Sequence, residues 1–68
     1  DAEWRVLVKT AEGLSNQQIA EKIFLSIKTI ESHRSSIIFK LDLEGKNSLL
    51  KFALSNKEAI LNEDKIRA

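Results

Sequence analysis

The sequence predicts an all-α domain, a four-helix, bundle-like fold with a helix-turn-helix at its centre. Three observations carry that expectation. Helix breakers are scarce, with no Pro and glycine only at Gly13 and Gly45. A Ser15-x-x-Gln18 capping box opens one helix, and Ser26 repeats the N-cap signal shortly after Ile23. Apolar residues recur three and four apart, the period of a helix with one buried face. Together these place helices at about residues 1–12, 15–23, 27–41 and 46–55.

The first helix carries Leu7, Ala11 and Leu14 on one stripe, with Val6 beside it and Trp4 able to cover it. Gly13 stops it, because a left-handed residue after the last turn costs least as glycine. Asp1 and Glu3 suit the positive end of the helix dipole. No Ser, Thr or Asn caps this start and no Met opens the chain, so a piece of a longer protein is expected.

The second helix puts Ile19, Ala20 and Ile23 inward, and the small Ala20 lets the next helix approach closely. A helix, a tight turn and a new N-cap in this order form the helix-turn-helix pattern. On a wheel at about 100° per residue, Ile30, Ile37 and Leu41 face the core. Arg34 lies near that seam and His33 at its edge. Lys28, Ser32, Ser35 and Phe39 point the other way, with Glu31 on the flank. That outer row reads either as a solvated face or as the surface that enters the DNA major groove, where this motif's second helix makes its base contacts. His33 reads as a hydrogen-bonding residue at the core edge. Arg34 can snorkel to a phosphate or pair with a carboxylate within the fold. Phe39 implies a contact surface or a local departure from the wheel.

Gly45 lies in a turn, and Asn47 or Ser48 is expected to cap the fourth helix. Leu49, Leu50, Ala53 and Leu54 form its apolar face, with Phe52 displaced from it. Residues 1–56 read as the domain. Residues 57–68, KEAILNEDKIRA, read as a C-terminal tail, a short helix or disordered, because their apolar residues are scattered.

Composition removes several classes of function. The 68 residues make one small domain. The absence of Cys rules out a disulfide framework and a thiolate metal site, and suits the reducing cytoplasm. One His cannot build a metal site, so neither a metal nor another cofactor is expected. No apolar run approaches the roughly 18 residues that span a membrane, and no signal peptide opens the chain. An enzyme is not expected: there is no phosphate-cradling glycine loop, no second His and no carboxylate pair in a plausible pocket. The net charge of +1 does not advertise a nucleic-acid binder. A DNA reading therefore rests on geometry and motif.

The runs GLSNQQIA, LS, KTIESHRSSI and KL together resemble the C-terminal effector domain of the LuxR/NarL/FixJ (GerE-like) family of bacterial transcription regulators. Glu3, Val6 and Leu7 match its first helix. Gly13, Ser15, Asn16, Ile19 and Ala20 match the second. Ser26, Lys28, Thr29, Ile30, His33 and Arg34 match the opening of the recognition helix, and Ile37, Lys40, Leu41 and Leu43 its close. Leu50 and Ala53 match the fourth helix, so the resemblance covers about Glu3 to Leu54.

The resemblance implies a sequence-specific, DNA-binding output domain of a transcriptional regulator, acting as a homodimer on double-stranded DNA. An upstream receiver or ligand-sensing domain is implied as well. It assigns base contacts to Lys28, Glu31, Ser32 and Ser35. Phosphate contacts fall to Asn16, Ser26, Thr29, His33, Arg34, Lys40 and Lys46. To these the residues themselves add Ser15, whose helix start points backbone donors outward. The family also pairs subunits through the fourth helix, making Lys51, Phe52 and Ser55 candidates; packing of Phe52 on the first helix is the alternative. Three positions depart from the common pattern. Lys46 stands where Arg is usual and offers a point charge rather than a fork. Glu31 can accept from cytosine but cannot reach the acceptors of guanine. Ser35 is shorter than its counterparts, leaving more to groove shape. A helix-turn-helix used only for protein contact, through Glu31, Ser32 and Phe39, is the competing function.

Overall fold

The computed structural model describes residues 2–45 and 47–67. Five helices follow in order: α1 (Ala2–Ala11), α2 (Asn16–Ile23), α3 (Ile27–Lys40), α4 (Ser48–Ser55) and α5 (Lys57–Arg67). The first four match the expected helices to within a couple of residues at each end. The fifth is a regular helix in the segment for which the sequence left a choice between short helix and disorder.

α1 is the hub and packs against each of the other four helices. On one side Val6 joins Ile19, Ala20, Ile30, Ile37 and Leu49 in the main core. On another side Val8 and Ala11 meet Ala53 of α4 and Ile60 of α5. The single stripe read from Leu7, Ala11 and Leu14 is therefore too narrow. Val8 and Thr10 are buried as well, because α5 covers a flank that a four-helix domain leaves open. Trp4 ties α1 to α5. Its Nε1 donates to Asp64 Oδ1 at 3.0 Å, and the Arg67 guanidinium stacks 4.1 Å from the ring centroid.

Shortening the chain after Asn56 strips Val8, Ala11 and Ala53 of the cover that Ile60 provides, and removes both partners of Trp4 around α5. The expected result is a loss of about 2–5 kcal/mol, the scale of a large core truncation. Thermal melting followed by circular dichroism checks it. An unchanged midpoint would make α5 a passenger.

Each of the first three helices stops on a left-handed residue. After α1, Gly13 (φ 88) lets Leu14 N–H reach the Lys9 carbonyl at 3.2 Å, a Schellman closure. After α2 the same role falls to Phe24 (φ 59), with Leu25 N–H on the Ala20 carbonyl at 3.1 Å. After α3 it falls to Asp42 (φ 54), with Leu43 N–H on the Ile38 carbonyl at 3.0 Å. Gly13 meets this need at the least cost, and a phenylalanine in the same conformation gives up roughly 1–2 kcal/mol.

Three details of the sequence reading change. Leu41 is the C-cap of α3 and is 42% exposed, lining an open hollow with Ile37, Leu7 and Trp4 rather than closing the core. Asn47 is the N-cap of α4 but its side chain makes no capping bond, being held at φ 60. Leu54, assigned to the apolar face of α4, is 49% exposed. Phe52 instead packs against the cluster around Val8 and Ile60, because α1 and α5 lie on that flank.

Candidate nucleic-acid interface

The helix-turn-helix is held by local hydrogen bonds that its sequence dictates. Ser15 N–H donates to Gln18 Oε1 at 2.9 Å, and Gln18 N–H donates to Ser15 Oγ at 3.2 Å. This reciprocal box starts α2. The turn of Phe24, Leu25 and Ser26 follows. Thr29 N–H then donates to Ser26 Oγ at 3.1 Å, and the two hydroxyls lie 2.9 Å apart. Both Ser caps are exposed, and Asn16 and Thr29 are half-buried. The amides of the first turns, Asn16 and Gln17 in α2 and Ile27 and Lys28 in α3, remain beyond reach of intrahelical carbonyls.

α3 is anchored by Ile30 and Ile37, at 0% and 6% exposure. Its opposite face is open: Lys28, Glu31, Ser32, Ser35 and Phe39 are all exposed. The row expected from the wheel is thus present on one helix face, and no neighbouring helix covers it. Phe39 keeps to the wheel and is 86% exposed at the far end of the row.

The flank of α3 that faces α1 carries polar contacts that sequence reasoning missed. Arg34 is half-buried, and its Nη1 donates to Thr10 Oγ1 at 3.1 Å. Thr10 is fully buried and donates in turn to the Val6 carbonyl at 2.8 Å. Burial lowers the pKa of Arg34 from its ordinary value. Further along α3, Ser36 Oγ donates to Glu3 Oε2 at 2.9 Å and Lys40 Nζ to Glu3 Oε1 at 2.8 Å. No periodicity or motif pairs residues this far apart in sequence. The one local hint is that Arg34 and Lys40 flank the apolar seam rather than oppose it.

Of the residues expected to grip phosphate, Arg34 and Lys40 therefore already have partners on α1, and His33 is half-buried. Lys46 lies outside the described residues. On α4, Lys51 and Ser55 are exposed and Phe52 is half-buried.

The Lys40 and Ser36 hydrogen bonds hold the Glu3 carboxyl below the usual glutamate range. A depressed folded pKa contributes stability above the unfolded value and loses it as pH falls through the folded one. Glu3→Gln is accordingly expected to melt lower than the parent at neutral pH. The gap should close as pH falls below about 4. Melting curves across that range check it; a constant gap would separate Glu3 from the acid response.

The sequence profile of the family described as "Bacterial regulatory proteins, luxR family" matches residues 1–53. The chain belongs to that family. It is a LuxR-type helix-turn-helix DNA-binding domain, a non-catalytic module. Among similar proteins are those named oxygen regulatory protein NreC. The one from Staphylococcus haemolyticus is 46% identical over 55 residues, 81% of this chain and 25% of that protein. The counterparts from Staphylococcus carnosus and Staphylococcus aureus are 44% identical over the same share. The match thus spans about a quarter of each relative's length. No solved structure matches the chain. Among the described residues, no helix of this LuxR-type domain is long and apolar enough to cross a membrane, and no His, Cys, Asp and Glu cluster could hold a metal ion.

Proposed function

We propose that this LuxR-type domain is the sequence-specific output module of a cytoplasmic bacterial transcription regulator of the two-component kind. In that reading α3 lies in the major groove of double-stranded DNA, and a receiver or ligand-sensing domain controls access to it. One observation carries the proposal: the row Lys28, Glu31, Ser32 and Ser35 stands uncovered on a helix whose other face is locked by Ile30 and Ile37. Those four read base edges, Glu31 as an acceptor for cytosine. Phosphates are held by Ser15, Asn16, Ser26, Thr29, His33, Arg34, Lys40 and Lys46, and the free amides of the first turns of α2 and α3 add donors. Thr10 and Glu3 act behind Arg34 and Lys40. They fix the direction of two flexible cations before DNA arrives, which lowers the entropy lost on binding.

Two copies pair through α4, with Lys51, Phe52 and Ser55 at the contact. Phe52 packs inward, and the exposed Leu54, on the same side of α4 as Lys51 and Ser55, adds apolar surface to that contact. The regulatory names of the NreC relatives agree with this reading.

The test is a salt-titrated selection from random duplexes, followed by amide shift mapping with the winning sequence. An enriched motif and shifts along the outer row of α3 are expected. The second reading, a protein-contact helix-turn-helix, is favoured by the 86% exposure of Phe39. It would stand if no duplex moved any α3 amide.

A further inference from the structure

Two phenylalanines stand almost fully in solvent, Phe24 at 92% and Phe39 at 86% exposure. They mark opposite ends of α3: Phe24 lies in the turn before it and Phe39 in its last turn. A helix of this length, 14 residues, keeps them apart by roughly 20 Å at about 1.5 Å per residue. The domain's own fold uses neither ring. Phe24 moreover adopts φ 59, a conformation that favours Gly or Asn.

The surroundings of the two rings carry opposite charge. Phe24 borders an open depression of about 380 Å³ with Val8 and Ile23 at its apolar base. Arg5 and Lys22 line it with Lys9, which pairs with Glu12 at 3.2 Å, and with Asp64, which accepts from the Trp4 indole. Phe39 instead projects beside Ile38 and Leu43, and among the described residues the charged groups lining the hollow beside it are Asp42 and Glu44, while the neighbouring Lys40 is paired with Glu3.

We propose that a second copy of this chain docks head to tail, its Phe39 end seated in the basic depression beside Phe24. Pairing like with like would set cations on cations and carboxylates on carboxylates, so only the unlike pairing is complementary. Such a contact is heterologous: the pair keeps one free acidic end, on one copy, and one free basic end, on the other. It is distinct from the pairing through α4. It orders neighbouring copies in one orientation, the arrangement that tandem sites in direct repeat require. The inference does not depend on the DNA reading, because the contact exists between free chains.

The test uses two end-blocked variants substituted only at exposed positions. Phe39→Ser with Glu44→Lys blocks the acidic end. Phe24→Gly with Lys22→Glu blocks the basic end and leaves the left-handed turn intact. Amide shifts of the parent are expected to change with concentration at both ends together, up to the millimolar range, and to fade at high salt. Each variant alone should self-associate at least about tenfold more weakly. A mixture of the two should restore one contact. Shifts then appear only around Phe24 in the acidic-end variant and only around Phe39 in the basic-end variant. The proposal is overturned if the parent shows no concentration-dependent shifts. Shifts confined to Lys51, Leu54 and Ser55 of α4, or failure of the mixture to restore a contact, would overturn it too.

Discussion

Ile30→Ala is expected to destabilise the domain by about 2–5 kcal/mol, the range for removing a fully buried aliphatic side chain from a core that cannot collapse around the gap. Ile30 is 0% exposed and sits among Val6, Ile19, Ile37 and Leu49, so residues from α1, α2, α3 and α4 all lose contact with it. A chain of this size has roughly 3–10 kcal/mol to lose, at about 0.05–0.15 kcal/mol per residue. The substitution therefore removes a large share of the total. The midpoint of thermal unfolding should fall by on the order of 10–30 °C, given about 4–8 °C per kcal/mol for a small domain. Ile27→Ala is the control on the same helix. Ile27 is 45% exposed, and its loss should move the midpoint far less. Similar shifts for both would show that the seam through Ile30 is not what fixes α3 to the domain.

Lys28→Ala is expected to leave folding intact and to weaken binding to the preferred duplex by about 1–3 kcal/mol, roughly 5- to 150-fold. Lys28 is exposed, and its side chain takes no part in the Ser26 cap. The pattern of the loss tells which contact it makes. If Lys28 reads a base, discrimination should relax at one position of the site while the salt dependence hardly changes. If it holds a phosphate, all duplexes should weaken alike and the salt slope should fall by about one. Unchanged affinity for every duplex would remove Lys28 from the interface. Thr29→Ala is less clean, because the Thr29 hydroxyl lies 2.9 Å from that of Ser26. It should cost part of the cap as well as any contact to DNA, so its binding loss needs a melting curve beside it.

The features legible in the sequence are those set by neighbours within a turn or two. The Ser15-x-x-Gln18 box, the Ser26 cap and the Gly13 stop act through hydrogen bonds and backbone angles between nearby residues. Four helices could therefore be placed nearly to the residue. Helical period then separated the buried Ile30 and Ile37 from the open row Lys28, Glu31, Ser32 and Ser35, since side chains on opposite faces cannot both meet the core. The left-handed ends at Phe24 and Asp42 were less visible. Nothing in an isolated Phe or Asp announces a conformation that its neighbours impose.

Tertiary structure alone decided the rest. The apolar residues of α5 are too scattered to declare a face, and one of them, Ile60, is buried because Val8, Ala11 and Ala53 leave a place for it. That packing widened the buried surface of α1 and turned Phe52 inward while Leu54 faced out. Arg34 and Lys40 found Thr10 and Glu3 across 24 and 37 residues of chain. Contacts between distant segments depend on where whole helices come to rest. A local pattern holds the faces of each helix but not the identity of the neighbour that meets them.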